Sequence, residues 1–298
     1  MTNGTFTKSS QALPVLPVLF LGHGSPMNAL TQNEYTDAWR RLGAEIKPHV
    51  RAVLILSAHW ATRDGLAVTT AARPGVLYDF YGFPDALYRV QYDAPGQPEL
   101  ARHIQERFER AGGPSVVADP TRQLDHGAWS ILVHLFPEAD VPCVQLSYDM
   151  TAPARAQLEQ GRILADDLTG APGVDSGFSF ESLRKQGVLI LASGNLVHNL
   201  RAIHFSADAP PFDWAIEFDE FVKNKLGAGG AANFETLLDP NALGQAARLS
   251  VPGLDHYIPF LNFLGAVHAD DRFDYPCEGI QNGSISMRSI RAARPVVQ

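Results

Sequence analysis

Short apolar runs alternate along the chain with stretches whose apolar positions recur every three or four residues. Val15 to Leu21, Val53 to Leu56 and Val188 to Leu191 are leucine-rich or β-branched runs of strand length, the pattern of strands buried on both faces. Ser115 to Ala118, Pro142 to Ser147 and Gly187 to Ala192 are short β-prone runs of the same character. Between such runs, Leu100, Ile104 and Phe108 share one helical face and the segment stops at Gly112-Gly113. Trp129, Leu132, Val133 and Phe136 mark a second helix, ended by Pro137. Trp214, Phe218, Phe221, Val222 and Leu226 mark a third, entered through Pro210-Pro211. The alternation predicts a single α/β domain: a central, largely parallel or mixed sheet, doubly wound, with helices on both faces.

At 298 residues the chain can bury a substantial core, and no change of composition demands a second domain. Residues 1–13 are small and polar and are expected to form a flexible tail ahead of a catalytic domain at 14–298. Gly227 to Ala232 and Gly170 to Ser179 read as loops. A net charge of −8 without any Lys/Arg run argues against nucleic acid or an anionic membrane as partner. Two cysteines, Cys143 and Cys277, make a disulfide framework unlikely and exclude a Cys-rich zinc site; Cys143 reads as a small buried hydrophobe. The amino terminus lacks a signal-peptide pattern, and no apolar run approaches the ~20 residues needed to span a bilayer. A soluble cytoplasmic protein is expected, its oligomeric state left open.

The chemistry concentrates in histidine blocks placed just past apolar runs: Gly22-His23-Gly24-Ser25-Pro26, Ser57-Ala58-His59-Trp60, Ser193-Gly194-Asn195-Leu196-Val197-His198-Asn199 and Asp255-His256-Tyr257. In open α/β sheets the ligand crevice lies outside the carboxyl ends of the strands, and neutral imidazole is the commonest metal ligand, so a mononuclear metal site is expected there. Each block has a plain structural alternative. His23 can sit in a strand-to-helix turn, with Ser25 capping a helix that starts at Pro26. Trp60 can simply pack in the core, and Asp255 can orient a ligand or cap a turn. His198, past the third strand edge, is placed to move protons if it does not bind metal. His126 opens a helix after Asp125, which can cap it. Histidines 49, 103, 134, 204 and 268 read as structural or solvated. The chain has no phosphate loop, dinucleotide fingerprint, His-Glu-x-x-His or Gly-x-Ser-x-Gly.

Taken together, these blocks resemble the class III extradiol ring-cleavage dioxygenases, in particular the 4,5-DOPA extradiol dioxygenase-like enzymes of bacteria and plants. Tyr78-Asp79-Phe80-Tyr81-Gly82-Phe83-Pro84, Asp125-His126-Gly127-Ala128-Trp129 and Gly283-Ser284-Ile285-Ser286-Met287 extend the match in family order over nearly the whole chain. The resemblance implies that His23, His59 and His256 bind the metal, that His198 is the acid/base residue, and that His126 is a second active-site histidine beside substrate. It implies Fe(II) as the active metal and a catechol plus O2 as reactants, with a muconic semialdehyde as product. His256 stands where protocatechuate-type members carry a carboxylate, and a three-histidine set also suits zinc. Tyr257 and the Phe80-Tyr81-Gly82-Phe83 stretch are candidates to wall an aromatic pocket, with core packing as the alternative for each aromatic. Two rival readings follow: a zinc hydrolase using the same three histidines, and a non-catalytic binding protein that retains the fold.

Overall fold

A computed structural model of the chain describes residues 14–168, 177–227 and 232–295. The expected tail at 1–13 and most of the two expected loops lie outside the described residues. The strands are β1 (Val18–Gly22), β2 (Ala52–Thr62), β3 (Leu66–Thr69), β4 (Val116–Asp119), β5 (Cys143–Asp149), β6 (Val188–Gly194), β7 (Arg272–Cys277), β8 (Ile280–Gln281), β9 (Ile285–Ser286) and β10 (Ser289–Ala293). The helices are α1 (Glu34–Ile46), α2 (Pro98–Arg110), α3 (His126–Leu135), α4 (Ala154–Ala165), α5 (Asp213–Gly227), α6 (Ala232–Leu237), α7 (Gln245–Ser250) and α8 (Ile258–Ala266). The helices expected from apolar period correspond to α2, α3 and α5. None of the described helices is long and apolar enough to cross a membrane.

One eight-stranded sheet, ordered β4-β3-β5-β2-β6-β1-β10-β7, forms the core of this single α/β domain. Its centre, β5-β2-β6-β1, is parallel, and β10 and β7 add an antiparallel flank beside β1. The central strands are apolar on both sides because both sides are covered. Val18, Phe20, Leu54, Leu56 and Ile190 face the layer of α2, α4, α5 and α8. Leu19, Leu21, Val53, Ile55 and Leu189 face α1 and α3.

Two local features bring the site to the carboxyl edge of this sheet. Strand β2 pairs with β5 through Leu56↔Leu146 and resumes at Ala61↔Tyr148, so Ser57 to Trp60 bulge out of that ladder. The sequence had His59 ending its strand; instead the strand continues to Thr62 and the bulge turns His59 outward. After β1, Ser25 does cap the turn it precedes, its hydroxyl accepting from Met27 N at 3.3 Å, but that turn is a single 3-10 helix, Pro26–Leu30.

Candidate functional site

Strand β6 lies between β1 and β2, so the blocks carrying His23 and His59 are not on neighbouring strands but flank Ser193, which pairs with Leu21 on one side and Ser57 on the other. The loop after α7 brings His256 over this edge. Its carbonyl accepts from Asn195 N at 2.9 Å, and it passes so close that a Cβ on Gly194 would stand 2.3 Å from it.

One ring nitrogen each from His23, His59 and His256 lies within 4.8 Å of the others, and the Nε2 atoms of His23 and His59 are 3.1 Å apart. Their other nitrogens are largely committed. Ser193 Oγ donates to the Gly127 carbonyl at 2.6 Å and therefore accepts from His23 Nδ1 at 3.0 Å. His256 Nδ1 donates to Asp255 Oδ2 at 2.7 Å. Both rings thus keep Nε2 as a free lone pair, the second-sphere pattern that orients metal-bound imidazoles. Burial first, then the neighbouring imidazoles, pushes His23 and His256 well below the usual imidazole range. The same causes, with His126 as the leading neighbour, bring His59 down to about 4. Three neutral, converging imidazoles at a buried strand edge fit a divalent transition-metal ion.

Two further histidines complete the cluster. The His198 ring stacks on His256 with centroids 3.4 Å apart and planes 10° apart, and its backbone N–H donates to the Ser250 carbonyl. Burial lowers its pKa to about 4 against the pull of Asp255. His126, first residue of α3, donates Nδ1–H to Asp79 Oδ1 at 2.9 Å, and its backbone N–H meets the same oxygen at 3.0 Å. Burial works to raise the Asp79 carboxyl, but the His126 hydrogen bonds and nearby imidazoles hold it below the usual carboxylate range. Asp125 caps α3 as expected, accepting from Ala128 N at 3.2 Å. All five histidines line one cavity of about 230 Å³.

A family model described as the catalytic LigB subunit of aromatic ring-opening dioxygenase matches residues 17–271. The chain belongs to that family. It is 41% identical over 277 residues to a 4,5-DOPA dioxygenase extradiol of Escherichia coli (strain K12), covering 93% of this chain and 94% of the relative. A 4,5-DOPA dioxygenase extradiol of Beta vulgaris is 31% identical over 281 residues, covering 91% and 94%. A crystal structure of an uncharacterized Escherichia coli K12 protein superposes with a TM-score of 0.74 at 39% identity, covering 93% of this chain and 99% of that one. This is an extradiol ring-opening dioxygenase, and its family implies a non-haem metal together with a small-molecule substrate and O2.

Within the dioxygenase, Phe80 lines the cavity as expected, but Tyr81 and Tyr257 do not. Tyr81 is 91% exposed. Tyr257 is fully buried in the α5–α8 layer, where its hydroxyl donates to the Leu237 carbonyl at 3.0 Å. Being next to His256 in sequence did not place it in the pocket, because the two rings leave the turn before α8 in different directions. Phe83, in the stretch expected to wall the pocket, also lines it, while sequence reasoning missed Ser193 and Asp79 as supports and Ile203 and Asn282 as lining. Ser193 and Asp79 both sat inside blocks already singled out, next to strand ends or histidines, which was the signal available. His103 and His134 are structural: both are buried, and His134 Nε2 donates to the Asn28 carbonyl at 2.7 Å.

Proposed function

We propose that His23, His59 and His256 hold Fe(II) and that residues 14–298 form a catalytic unit that cleaves a catechol ring beside one hydroxyl, inserting both atoms of O2 to give a muconic semialdehyde. The convergence of three neutral imidazoles at the wall of a cavity that also contains His126 and His198 carries this reading. Bound Fe(II) supplies Lewis acidity toward the catechol hydroxyls and a route for electron density from ring to dioxygen. No external reductant is required, since the ring itself is oxidised.

His198, neutral because it is buried, accepts a proton as a catechol hydroxyl ionises and returns it later in the cycle. Its stacking on His256 keeps it beside the metal ligands without making it one of the three. His126, with Nδ1–H committed to Asp79, keeps Nε2 as an acceptor for the substrate. Phe80, Phe83 and Ile285 keep water from the ring. We read the enzyme as cytoplasmic, in keeping with its two free cysteines.

The same three-imidazole donor set also suits Zn(II), so Fe(II) and Zn(II) are the two metals to separate. Oxygen uptake by metal-stripped protein, reloaded anaerobically with Fe(II) or Zn(II) and mixed with catechols including L-DOPA, separates the two. Uptake with a yellow ring-opened product in the iron form alone is the expected result. Equal oxygen uptake and product formation by the zinc form overturns the assignment of Fe(II).

A further inference from the structure

Five imidazoles occupy one side of the cavity, and the ring chemistry uses them. The rest of the lining is mostly Pro26, Phe80, Phe83, Leu200, Ile203 and Ile285. Its other polar side chains, Ser25 and Asn282, are uncharged and each is partly engaged: Ser25 Oγ accepts from Met27 N, and Asn282 Nδ2 donates to the His204 carbonyl at 2.8 Å. No lysine or arginine lines the cavity among the described residues.

Three arginines that could in principle pair with a substrate carboxylate, Arg122, Arg201 and Arg288, are employed elsewhere or stand outside. Arg122 donates to the His59 carbonyl at 3.0 Å, pairs with Asp125 at 3.3 Å and lies over the Trp60 ring. Arg288 is buried among Asp219, Glu220 and Glu278. Arg201 does not line the cavity. The charged groups that back the imidazoles are carboxylates, Asp79 behind His126 and Asp255 behind His256. A substrate carboxylate entering here loses its water and meets apolar walls backed by like charge.

At the mouth, Leu200 is 59% exposed and Ile203 37% exposed although both line the cavity. An apolar group resting on them removes surface from water on both partners. We propose that the preferred catechol carries an uncharged, apolar ring substituent seated against Leu200 and Ile203, rather than the amino-acid side chain of DOPA. The proposal rests on the dioxygenase reading above and narrows its substrate. Each methylene buried raises affinity roughly fourfold over an unsubstituted catechol, and a charged end on a tail of similar length, which must shed its water here, forfeits on the order of tenfold or more.

The test uses the iron-loaded full chain with four catechols of similar tail length: 4-propylcatechol, dopamine, 3-(3,4-dihydroxyphenyl)propionate and L-DOPA. Dissociation constants are measured without oxygen, and kcat/KM by oxygen uptake in air. We expect 4-propylcatechol to have a dissociation constant at least tenfold lower, and a kcat/KM at least tenfold higher, than each charged probe. Ile203→Arg, and separately Leu200→Arg at the more exposed position, should cut the preference over the propionate at least tenfold. A charged probe that equals or beats 4-propylcatechol overturns the inference, as does a preference unmoved by both substitutions. Binding in the expected order with no oxygen uptake leaves this inference standing and sinks the dioxygenase reading instead.

Discussion

Ser193 Oγ stands 3.0 Å from Nδ1 of His23, and its own proton goes to the Gly127 carbonyl. The serine can therefore only accept from the imidazole, which fixes the ring as the tautomer whose Nε2 faces His59. Ser193→Ala removes that constraint without adding bulk to β6. Metal affinity should fall about 10- to 100-fold with the melting temperature of the metal-free protein little changed. Competition against a coloured chelator measures it, and unchanged affinity would show that Ser193 does not orient the ring.

The five histidines should separate by role. His23→Ala, His59→Ala and His256→Ala are each expected to lose metal and turnover together, because two imidazoles are left for the ion. His198→Ala should keep stoichiometric metal and lose at least a hundredfold in turnover. His126→Ala should keep metal and mainly raise KM. Elemental analysis beside oxygen-uptake kinetics decides each case; full metal and normal turnover in any of the first three would remove that residue from the ligand set.

Gly194 is as tightly held as any ligand. A Cβ there would sit 2.3 Å from the His256 carbonyl, so Gly194→Ala must push the His256 loop off the sheet edge. The expected cost is about 1–3 kcal/mol of stability, from overpacking, together with loss of metal. Denaturation of the metal-free protein and metal content of the loaded form test the two parts independently.

Acid sensitivity should have a component far from the site. His103 on α2 is fully buried, and burial, with Arg107 and Arg110 nearby, brings its pKa down to about 4; Glu106 lies 3.8 Å from its Nδ1. The unfolded chain takes up this proton near pH 6.5 and the folded chain only near 4. The stability His103 lends as a neutral ring is complete above 6.5 and is lost as pH falls toward 4, since the unfolded state then binds more protons. His103→Leu should flatten the fall in urea midpoint of metal-free protein between pH 6.5 and 4. Parallel pH curves for both proteins would show that His103 titrates normally.

The central strands and three helices were legible because nothing but burial shapes their patterns: Leu19 to Leu21, Val53 to Leu56 and Leu189 to Leu191 are apolar on both faces. The antiparallel flank was not. Strand β7, Arg272–Cys277, is partly exposed along its length and alternates weakly, and β10 carries Arg291 paired to Asp274 and Glu45, so neither reads as an apolar run. His23, His59 and His198 were findable because each follows an apolar run or a glycine. Their geometry was not, because the bulge that presents His59 leaves no composition signal and β6 enters between β1 and β2 from 170 residues away. Tyr257 and Tyr81 show the limit of reasoning from adjacency, since a neighbour in sequence shares a site only if the backbone turns it the same way.

The order of the sheet also dictates when in the life of the molecule the site can exist. His23 emerges from the ribosome early, but its strand has β6 on one side and β10 on the other, and the cavity is closed by Ile285. A nascent chain exposing His23 and His59 has imidazoles and no cradle to hold them. With the proposed ligands, metal is acquired only once β6 and β10 are in place, and a truncation that removes only β10 should be as empty of metal as one that removes half the protein.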